Sequence, residues 1–171
     1  SGVAVTISKR FLLYLINNHF ITDVWNNSEI SLTGSIAHPS SFVEYNRSVC
    51  NVSKQLDIPI LWQQGIFGND TRVAILDTGI SLNHPALNET LSGIPRIIAK
   101  WNFIDNSSNV VDDNGHGTAL AGIIGSNGKY GYQLGVAPNS LFLIGKILDS
   151  AGKGTIEDLI AGIDWAIENN A

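Results

Sequence analysis

Two short motifs place chemically active side chains where apolar segments give way to glycine-containing turns. Asp77 directly follows the apolar run 73–76 and precedes a Thr-Gly pair, and His116 has a glycine on either side. An aspartate that accepts the Nδ1 proton of a histidine fixes the imidazole's tautomer and orientation, so that the histidine can serve as a general base. The two motifs therefore predict two members of a nucleophilic triad, and no convincing third member occurs before residue 171.

Simpler interpretations of each motif stay open when it is taken alone. An aspartate at a strand end often caps a turn, and a histidine often stands at the start of a helix. The Asp-Thr-Gly triplet also occurs in aspartic proteases, but those need two carboxylates close together and this chain has one such triplet. The other histidines lack the glycine framing: His19, His38 and His84. The presence of both motifs in one chain favours catalysis.

The segments that must position these residues predict an α/β fold. Three apolar runs of strand length alternate with two helical patterns: 73–76, 97–104 and 141–148, against 118–124 and 155–168. Continuous apolar runs are typical of strands covered on both faces, and the alternation predicts a doubly wound parallel sheet. Active sites in such sheets lie beyond the carboxyl ends of the strands, where Asp77 falls.

The last helix carries the clearest local signals. Thr155 and Asp158 have the spacing of a capping box. An apolar stripe at helical spacing predicts the face that packs on the core: Ile156, Leu159, Ile160, Ile163 and Ile167.

The amino-terminal third has a different character. Residues 3–7 predict a strand, 9–17 a short amphipathic helix and 21–30 a weaker strand. From 31 to 53 the sequence is polar and loop-like, which makes this segment the best candidate for a domain boundary.

Composition limits the classes of function. A hydrophobic content of 44% with 15% charged residues supports a packed core and argues against disorder. A net charge of −5, without a basic stripe, disfavours a nucleic-acid partner. No apolar run reaches the roughly 18 to 20 residues of a membrane span. The single cysteine, Cys50, excludes an internal disulfide and a thiolate metal cluster.

The chain contains several acceptor sequences for N-glycosylation. They are Asn26, Asn46, Asn51, Asn69, Asn88 and Asn106. Roughly two or three would arise by chance in a chain so rich in asparagine, serine and threonine. The excess favours a secretory route, and asparagine-rich composition remains an equal explanation.

Three segments of the sequence together resemble a known family. The segments 73–87, 114–125 and 135–148 are similar to the aspartate region, the histidine region and the following strand of subtilisin-like serine proteases, the subtilases. The similarity continues through 149–170 and begins near Leu61. The order aspartate, histidine, serine is the one that the subtilases follow.

The resemblance implies a fold and a division into domains. It implies a subtilisin-like three-layer α/β sheet, incomplete here, preceded by a partial α+β propeptide. Residues 1–45 would be part of an inhibitor-like propeptide with the processing region, and 46–171 the amino-terminal part of the catalytic domain. The propeptide tail would lie along the active-site cleft, with autocleavage between about Glu29 and Ser53.

The resemblance also implies roles for particular residues. Asp77 would orient His116, which would take a proton from a serine and return it to the leaving amine. That serine and the oxyanion-hole asparagine would lie beyond residue 171, so the fragment alone would be inactive. A strand edge would pair with substrate backbone, and three apolar residues would line a pocket: Gly152, Lys153 and Gly154, then Leu148, Ile156 and Leu159.

No cofactor is required by this interpretation, and the sequence departs from the family at one metal site. Many subtilases bind calcium through an acid shortly after a His-Pro pair and an asparagine after the histidine helix. Ala86 and Lys129 stand at these positions, which should abolish that site. Calcium elsewhere in a full-length protein stays open.

The predicted function is thus a secreted or extracellular serine-type endopeptidase, made as a zymogen. Its partners would be polypeptide substrates and its own propeptide, without nucleic acid. A non-catalytic subtilase-fold module for binding or inhibition is the alternative, which an intact Asp77–His116 pair disfavours. A nucleotide-binding Rossmann domain is weaker still, because no GxGxxG follows a strand.

Overall fold

The computed structural model describes residues 27–32, 53 and 56–171. The strand predicted at 3–7, the helix predicted at 9–17, Cys50 and most of the predicted boundary segment lie outside these residues.

The described part contains strands, helices and one short 3₁₀ turn. In chain order they are β1 (Glu29–Ser31), α1 (Ile58–Gln63), β2 (Arg72–Asp77), β3 (Ile97–Asn102), α2 (His116–Gly125), the 3₁₀ turn (Lys129–Gly131), β4 (Leu141–Lys146), β5 (Lys153–Thr155) and α3 (Ile156–Glu168).

The apolar runs form a parallel sheet with the strand order β2-β4-β3. The three strands are in register at their carboxyl ends, where Asp77 and Asn102 both pair with Lys146 of the central strand. Each apolar run thus ends in a polar side chain at the same edge of the sheet. The prediction of a parallel α/β sheet is confirmed, and the polar edge is where a site is expected.

A helix covers each face of this sheet. On one face, Ala121 of α2 joins a buried cluster that includes Ile75 and Ile144. On the other, Leu76 of β2 lies beside Gly162 of α3, where a Cβ on the glycine would be within 3.4 Å of the leucine. Because alternate residues of a strand point to opposite faces, the layers follow directly from the apolar runs.

The structure confirms one prediction for α3 and overturns another. The capping box between Thr155 and Asp158 is present. The predicted core stripe is wrong, since Ile160, Ile163 and Ile167 are 44%, 45% and 66% exposed. The buried residues of α3 are Gly162 and Ala166, because small side chains let the helix axis approach the sheet more closely than isoleucines would.

A second, two-stranded sheet joins distant parts of the chain. Strand β1 pairs antiparallel with β5, with Ile30 opposite Gly154. Backbone bonds continue the pairing at both ends, from Ile156 N–H to Ser28 O at 3.0 Å and from Leu32 N–H to Gly152 O at 2.9 Å. Of the weak strand predicted over 21–30, the described residues retain only the end, which continues to Ser31.

No helix in 27–32 or 56–171 combines the length and the apolar character that crossing a bilayer requires.

Candidate active site

The fold brings Asp77 and His116 into direct contact. Asp77 ends β2 and His116 begins α2, and the imidazole Nδ1 lies 2.8 Å from Oδ1 and 2.9 Å from Oδ2 of the carboxylate. An ionised carboxylate only accepts hydrogen bonds, so Nδ1 carries the proton and Nε2 is left as the basic nitrogen. The His116 side chain is 26% exposed, which leaves room for a reacting group to approach.

The Asp77 carboxylate is buried and well supplied with donors. Besides the imidazole, the backbone N–H of Thr78 donates to Oδ1 at 2.7 Å. A buried carboxylate without donors costs several kcal/mol, and these bonds offset that cost. They also prevent rotation of the carboxylate. The imidazole that is hydrogen-bonded to it is therefore held in one orientation.

Two glycines allow close backbone approaches at the turn after Asp77. A Cβ on Gly117 would lie 2.2 Å from the carbonyl oxygen of Gly79, and one on Gly79 would lie 2.4 Å from that of Val110. Gly79 also has a φ of +110°, which only glycine adopts without strain. A side chain at Gly117 would push the start of α2 away from the turn that carries Asp77, and one at Gly79 would push that turn away from the carbonyls of Val110 and Val111.

The first turn of α2 has its free N–H groups satisfied by side chains from outside the helix. The donors and acceptors are His116 N–H to Asn114 Oδ1 at 3.2 Å, Gly117 N–H to Thr78 Oγ1 at 3.0 Å and Thr118 N–H to Asp112 Oδ2 at 2.8 Å. Sequence reasoning missed Asn114, Thr78 and Asp112. An asparagine and an aspartate just before a predicted helix were the available signal for an N-terminal cap.

A buried lysine also supports the turn after Asp77. The Nζ of Lys146 donates to the carbonyl of Thr78 at 2.5 Å and to Asp113 Oδ1 at 2.8 Å. Its side chain is 7% exposed, so the bond with a carboxylate is what compensates the buried charge. Sequence reasoning missed Lys146, whose only signal was a cation ending an apolar run.

The predicted substrate-binding edge is occupied by a segment of the same chain. Gly152 accepts a backbone hydrogen bond from Leu32, while Lys153 and Gly154 pair with Ser31 and Ile30. The Lys153 ammonium lies 2.9 Å from Glu29, and this hydrogen bond raises the pKa of Lys153 above its usual value.

The three residues predicted to line an apolar pocket flank this edge in the chain. Leu148 is buried, and a Cβ on Gly154 would lie 3.1 Å from its Cδ2 atom. Ile156 and Leu159 are half-buried on the first turns of α3. They stand next to the edge strand, and their role stays a prediction.

Comparison with known proteins assigns the chain to a family. The profile described as the subtilase family matches residues 68–171. The chain belongs to the subtilase family.

Individual subtilases match over most of the chain. A thermostable alkaline protease of Halalkalibacterium halodurans is 33% identical over 96% of this chain and 39% of its own length. Subtilisin E of Bacillus subtilis is 38% identical over 74% of this chain and 32% of its own length. The crystal structure of a cold-adapted subtilisin-like serine proteinase superposes with a TM-score of 0.51 at 33% identity, over 62% of this chain and 35% of the other. The chain thus spans about a third to two-fifths of the length of these relatives.

Hydrogen bonds and an ion pair hold together the loops that carry Ala86 and Lys129. The methyl group of Ala86 is buried, and the Lys129 ammonium forms an ion pair with Glu89. The Asn127 amide donates to the carbonyls of Pro85 and Glu89, and its Oδ1 accepts from Lys129 N–H at 3.0 Å. A lysine cation and an alanine methyl group do not fit a calcium site, which needs six to eight oxygen ligands. Among residues 56–171 no cluster of three or more acidic, histidine or cysteine side chains could hold a metal ion.

Proposed function

We propose that this chain is part of a serine-type endopeptidase of the subtilase family. The contact between Asp77 and His116 is the observation that carries the proposal. His116 Nε2 would take the proton of a serine hydroxyl supplied by chain beyond Ala171, and would return it to the leaving amine. Asp77 would stabilise the imidazolium formed between the two steps.

We also propose that the chain is made as a zymogen, with β1 as the inhibitory tail of a propeptide. Pairing of β1 with β5 is the same backbone pairing that a peptide substrate would make with this edge. Leu32 bonds to Gly152, two residues from Ser150, whose carbonyl accepts from the Asn114 amide, and Asn114 lies two residues before His116. Processing would therefore occur within the first few peptide bonds after Leu32, near the start of the range from Glu29 to Ser53.

The catalytic proposal is tested with a polypeptide that continues through the serine-bearing segment, called here the extended polypeptide. We expect a fluorophosphonate probe to label it and His116→Ala to abolish labelling, while the chain ending at Ala171 is not labelled. Labelling of the chain ending at Ala171 would contradict the assignment of the serine. An extended polypeptide that is folded but neither labelled nor hydrolytic would favour the alternative of a non-catalytic binding or inhibitory module.

The zymogen proposal is tested by sequencing the amino terminus of the mature protein. We expect it to begin shortly after Leu32, and we expect a variant lacking the serine to remain uncleaved. A mature terminus before Glu29 or after Ser53 would refute the role given to β1.

Substrates of this site would be extended polypeptides. An incoming peptide would replace β1 on Gly152, Lys153 and Gly154, with an apolar side chain directed to the pocket beside Leu148. Peptide libraries scanned for that side chain would test this, and an equal rate for apolar and charged residues would contradict it.

No cofactor is proposed for this part of the protein. The Lys129–Glu89 pair would supply a permanent cation where related proteins bind calcium. The Lys129→Met variant of the extended polypeptide should then have the same melting temperature in calcium and in chelator. A calcium-dependent rise in the wild-type protein, abolished by changes in the loops 85–89 and 127–129, would contradict this.

We further propose a secretory or extracellular location, supported by the acceptor sequences for glycosylation. Those at Asn69, Asn88 and Asn106 lie on exposed residues, which an attached glycan requires. The partners would be polypeptides and the protein's own propeptide.

A further inference from the structure

Asp112 is the most heavily hydrogen-bonded carboxylate near the catalytic pair, yet it touches neither Asp77 nor His116. Its Oδ1 accepts from Thr78 Oγ1 at 2.8 Å, from Gly115 N–H at 2.8 Å and from Asn114 N–H at 3.2 Å. Its Oδ2 accepts from Thr118 N–H at 2.8 Å and from Thr118 Oγ1 at 2.5 Å.

These bonds join the two elements that carry the catalytic pair. Thr78 belongs to the turn after β2, and its backbone N–H holds the Asp77 carboxylate. Thr118 belongs to the first turn of α2, which His116 begins. The Asp112 carboxylate therefore connects Thr78, which holds Asp77, with Thr118, which lies in the first turn of the helix that His116 begins.

Thr78 also bonds directly to the first turn of α2. Its hydroxyl donates to Asp112 and accepts from Gly117 N–H at 3.0 Å, so its hydrogen has a single orientation. Thr118 is used in the same way, since its hydroxyl donates to Asp112 and accepts from Ser81 N–H at 3.0 Å. Each threonine hydroxyl therefore has both a fixed acceptor in Asp112 and a fixed backbone donor.

The location of Asp112 also suits an anion. The N-cap residue of α2 is Gly115, which has no side chain to accept from the helix, and Asp112 supplies that acceptor. A carboxylate at the positive end of a helix is stabilised by the helix dipole. Partial burial raises the pKa of Asp112, but hydrogen bonds from the Thr118 side chain, the backbone of Gly115 and Thr118, and the Thr78 side chain lower it to about 2.

We propose that Asp112 is a positioning residue that, with Thr78, holds the Asp77 carboxylate and the His116 imidazole at hydrogen-bonding distance during proton transfer. The proposal rests on the proposed function, because it assigns Asp112 a part in the same reaction. It predicts that removing the carboxylate lowers kcat and leaves substrate affinity nearly unchanged, since the hydrogen-bond partners of Asp112 are Thr78, Asn114, Gly115 and Thr118 and include no residue of the β5 edge that would bind the peptide.

The test compares Asp112→Asn and Thr78→Val in the extended polypeptide with wild type. Both variants keep the side-chain shape; Asp112→Asn replaces one acceptor oxygen with an NH2 donor, and Thr78→Val removes the hydroxyl. We expect kcat to fall by about 10²-fold, the effect of a displacement of order 1 Å at a catalytic pair, with KM within about twofold. Thr78→Ser keeps the hydroxyl and should retain most of the activity.

A spectroscopic measurement separates positioning from loss of structure. The proton between His116 Nδ1 and Asp77 should give a low-field proton resonance in the wild-type protein, and this resonance should broaden or disappear in both variants while the remaining spectrum stays dispersed. Asp70→Asn is the matched control, because it removes the same charge from an exposed residue with a positive φ of +61° that asparagine tolerates. It should change neither the resonance nor kcat.

Two results would overturn the proposal. One is a kcat within twofold of wild type in a folded Asp112→Asn variant, and the other is a loss confined to KM with the low-field resonance intact. Thr78→Val decides the matter if Asp112→Asn does not fold, because it leaves the charge in place. Failure of the proposed function is separate, since it would appear as absent labelling of the wild-type extended polypeptide.

Discussion

Gly117→Ala should damage the catalytic pair through a single methyl group. In the structure that methyl carbon would lie 2.2 Å from the carbonyl oxygen of Gly79. Real Cβ atoms essentially never approach closer than 3.0 Å, so this separation must grow by about 0.8 Å. The atom in the way is backbone, and backbone cannot rotate aside as a long side chain can.

The displacement can be absorbed at either end of the contact. If α2 moves, His116 retreats from Asp77, and if the turn moves, Asp77 is carried with it. A similar increase in the 2.8 Å distance between Nδ1 and Oδ1 would exceed hydrogen-bonding range. We expect kcat of the extended polypeptide to fall by about 10²-fold. Overpacking should also lower the free energy of unfolding by about 1–3 kcal/mol.

The control is Gly122→Ala on the same helix. A Cβ at Gly122 has nothing within 4 Å, so this change adds the same methyl group without a clash. It should leave kcat unchanged and raise the free energy of unfolding by up to about 1 kcal/mol, because alanine is the better helix former. The assays are hydrolysis of a chromogenic peptide and thermal unfolding. Wild-type kcat in Gly117→Ala, or equal effects of the two changes, would refute the reasoning.

Three further predictions follow from the same region and from the surface. Asp77→Asn should lower kcat by about 10⁴-fold, as loss of the orienting acid does in other triads, with KM little changed; steady-state kinetics check this, and a loss under tenfold would contradict the role of Asp77. The folded pKa of Asp112 is about 2 and its ordinary value is 3.8, so its carboxylate stabilises the fold above about pH 4 and the effect is lost as the pH falls toward 2. At about 1.4 kcal/mol per unit, discounted for partial exposure, the unfolding free energies of wild type and Asp112→Asn should converge by about 1 kcal/mol between pH 5 and pH 2; parallel acid titrations would contradict this. Asn88→Gln should remove one glycan from protein secreted by a eukaryotic host, as seen by intact mass with and without glycosidase treatment; the absence of glycan at all three exposed acceptor sequences would count against the secretory proposal.

Local patterns in the sequence were sufficient for the parallel strands and for predicting that Asp77 and His116 act together. The apolar runs predicted the strands because a strand covered on both faces needs apolar residues throughout, and the capping box at Thr155 is a contact between residues three apart. The turns and glycines that flank Asp77 and His116 are adjacent in the sequence, and they predict this pair.

The same kind of pattern failed where small residues decided the packing. The isoleucines of α3 have the spacing of a core face, yet Gly162 and Ala166 lie against the sheet. Periodicity measures how apolar residues are distributed around a helix, and it carries no information on how closely the helix axis approaches its neighbour. Close approach favours the smallest side chains, and Ile163 and Ile167 are left exposed.

What the sequence determined by itself was the chemistry available at this site: an acid after a buried strand, an imidazole at the start of a helix, and glycines beside both. Only the tertiary structure decided how they are held. The bonds that Thr78 donates to Asp112 and accepts from Lys146 span 34 and 68 residues, and β1 pairs with β5 more than 120 residues away. Such contacts leave no periodic trace in the chain, because they depend on where the carboxyl ends of separate strands and the start of a helix meet in space.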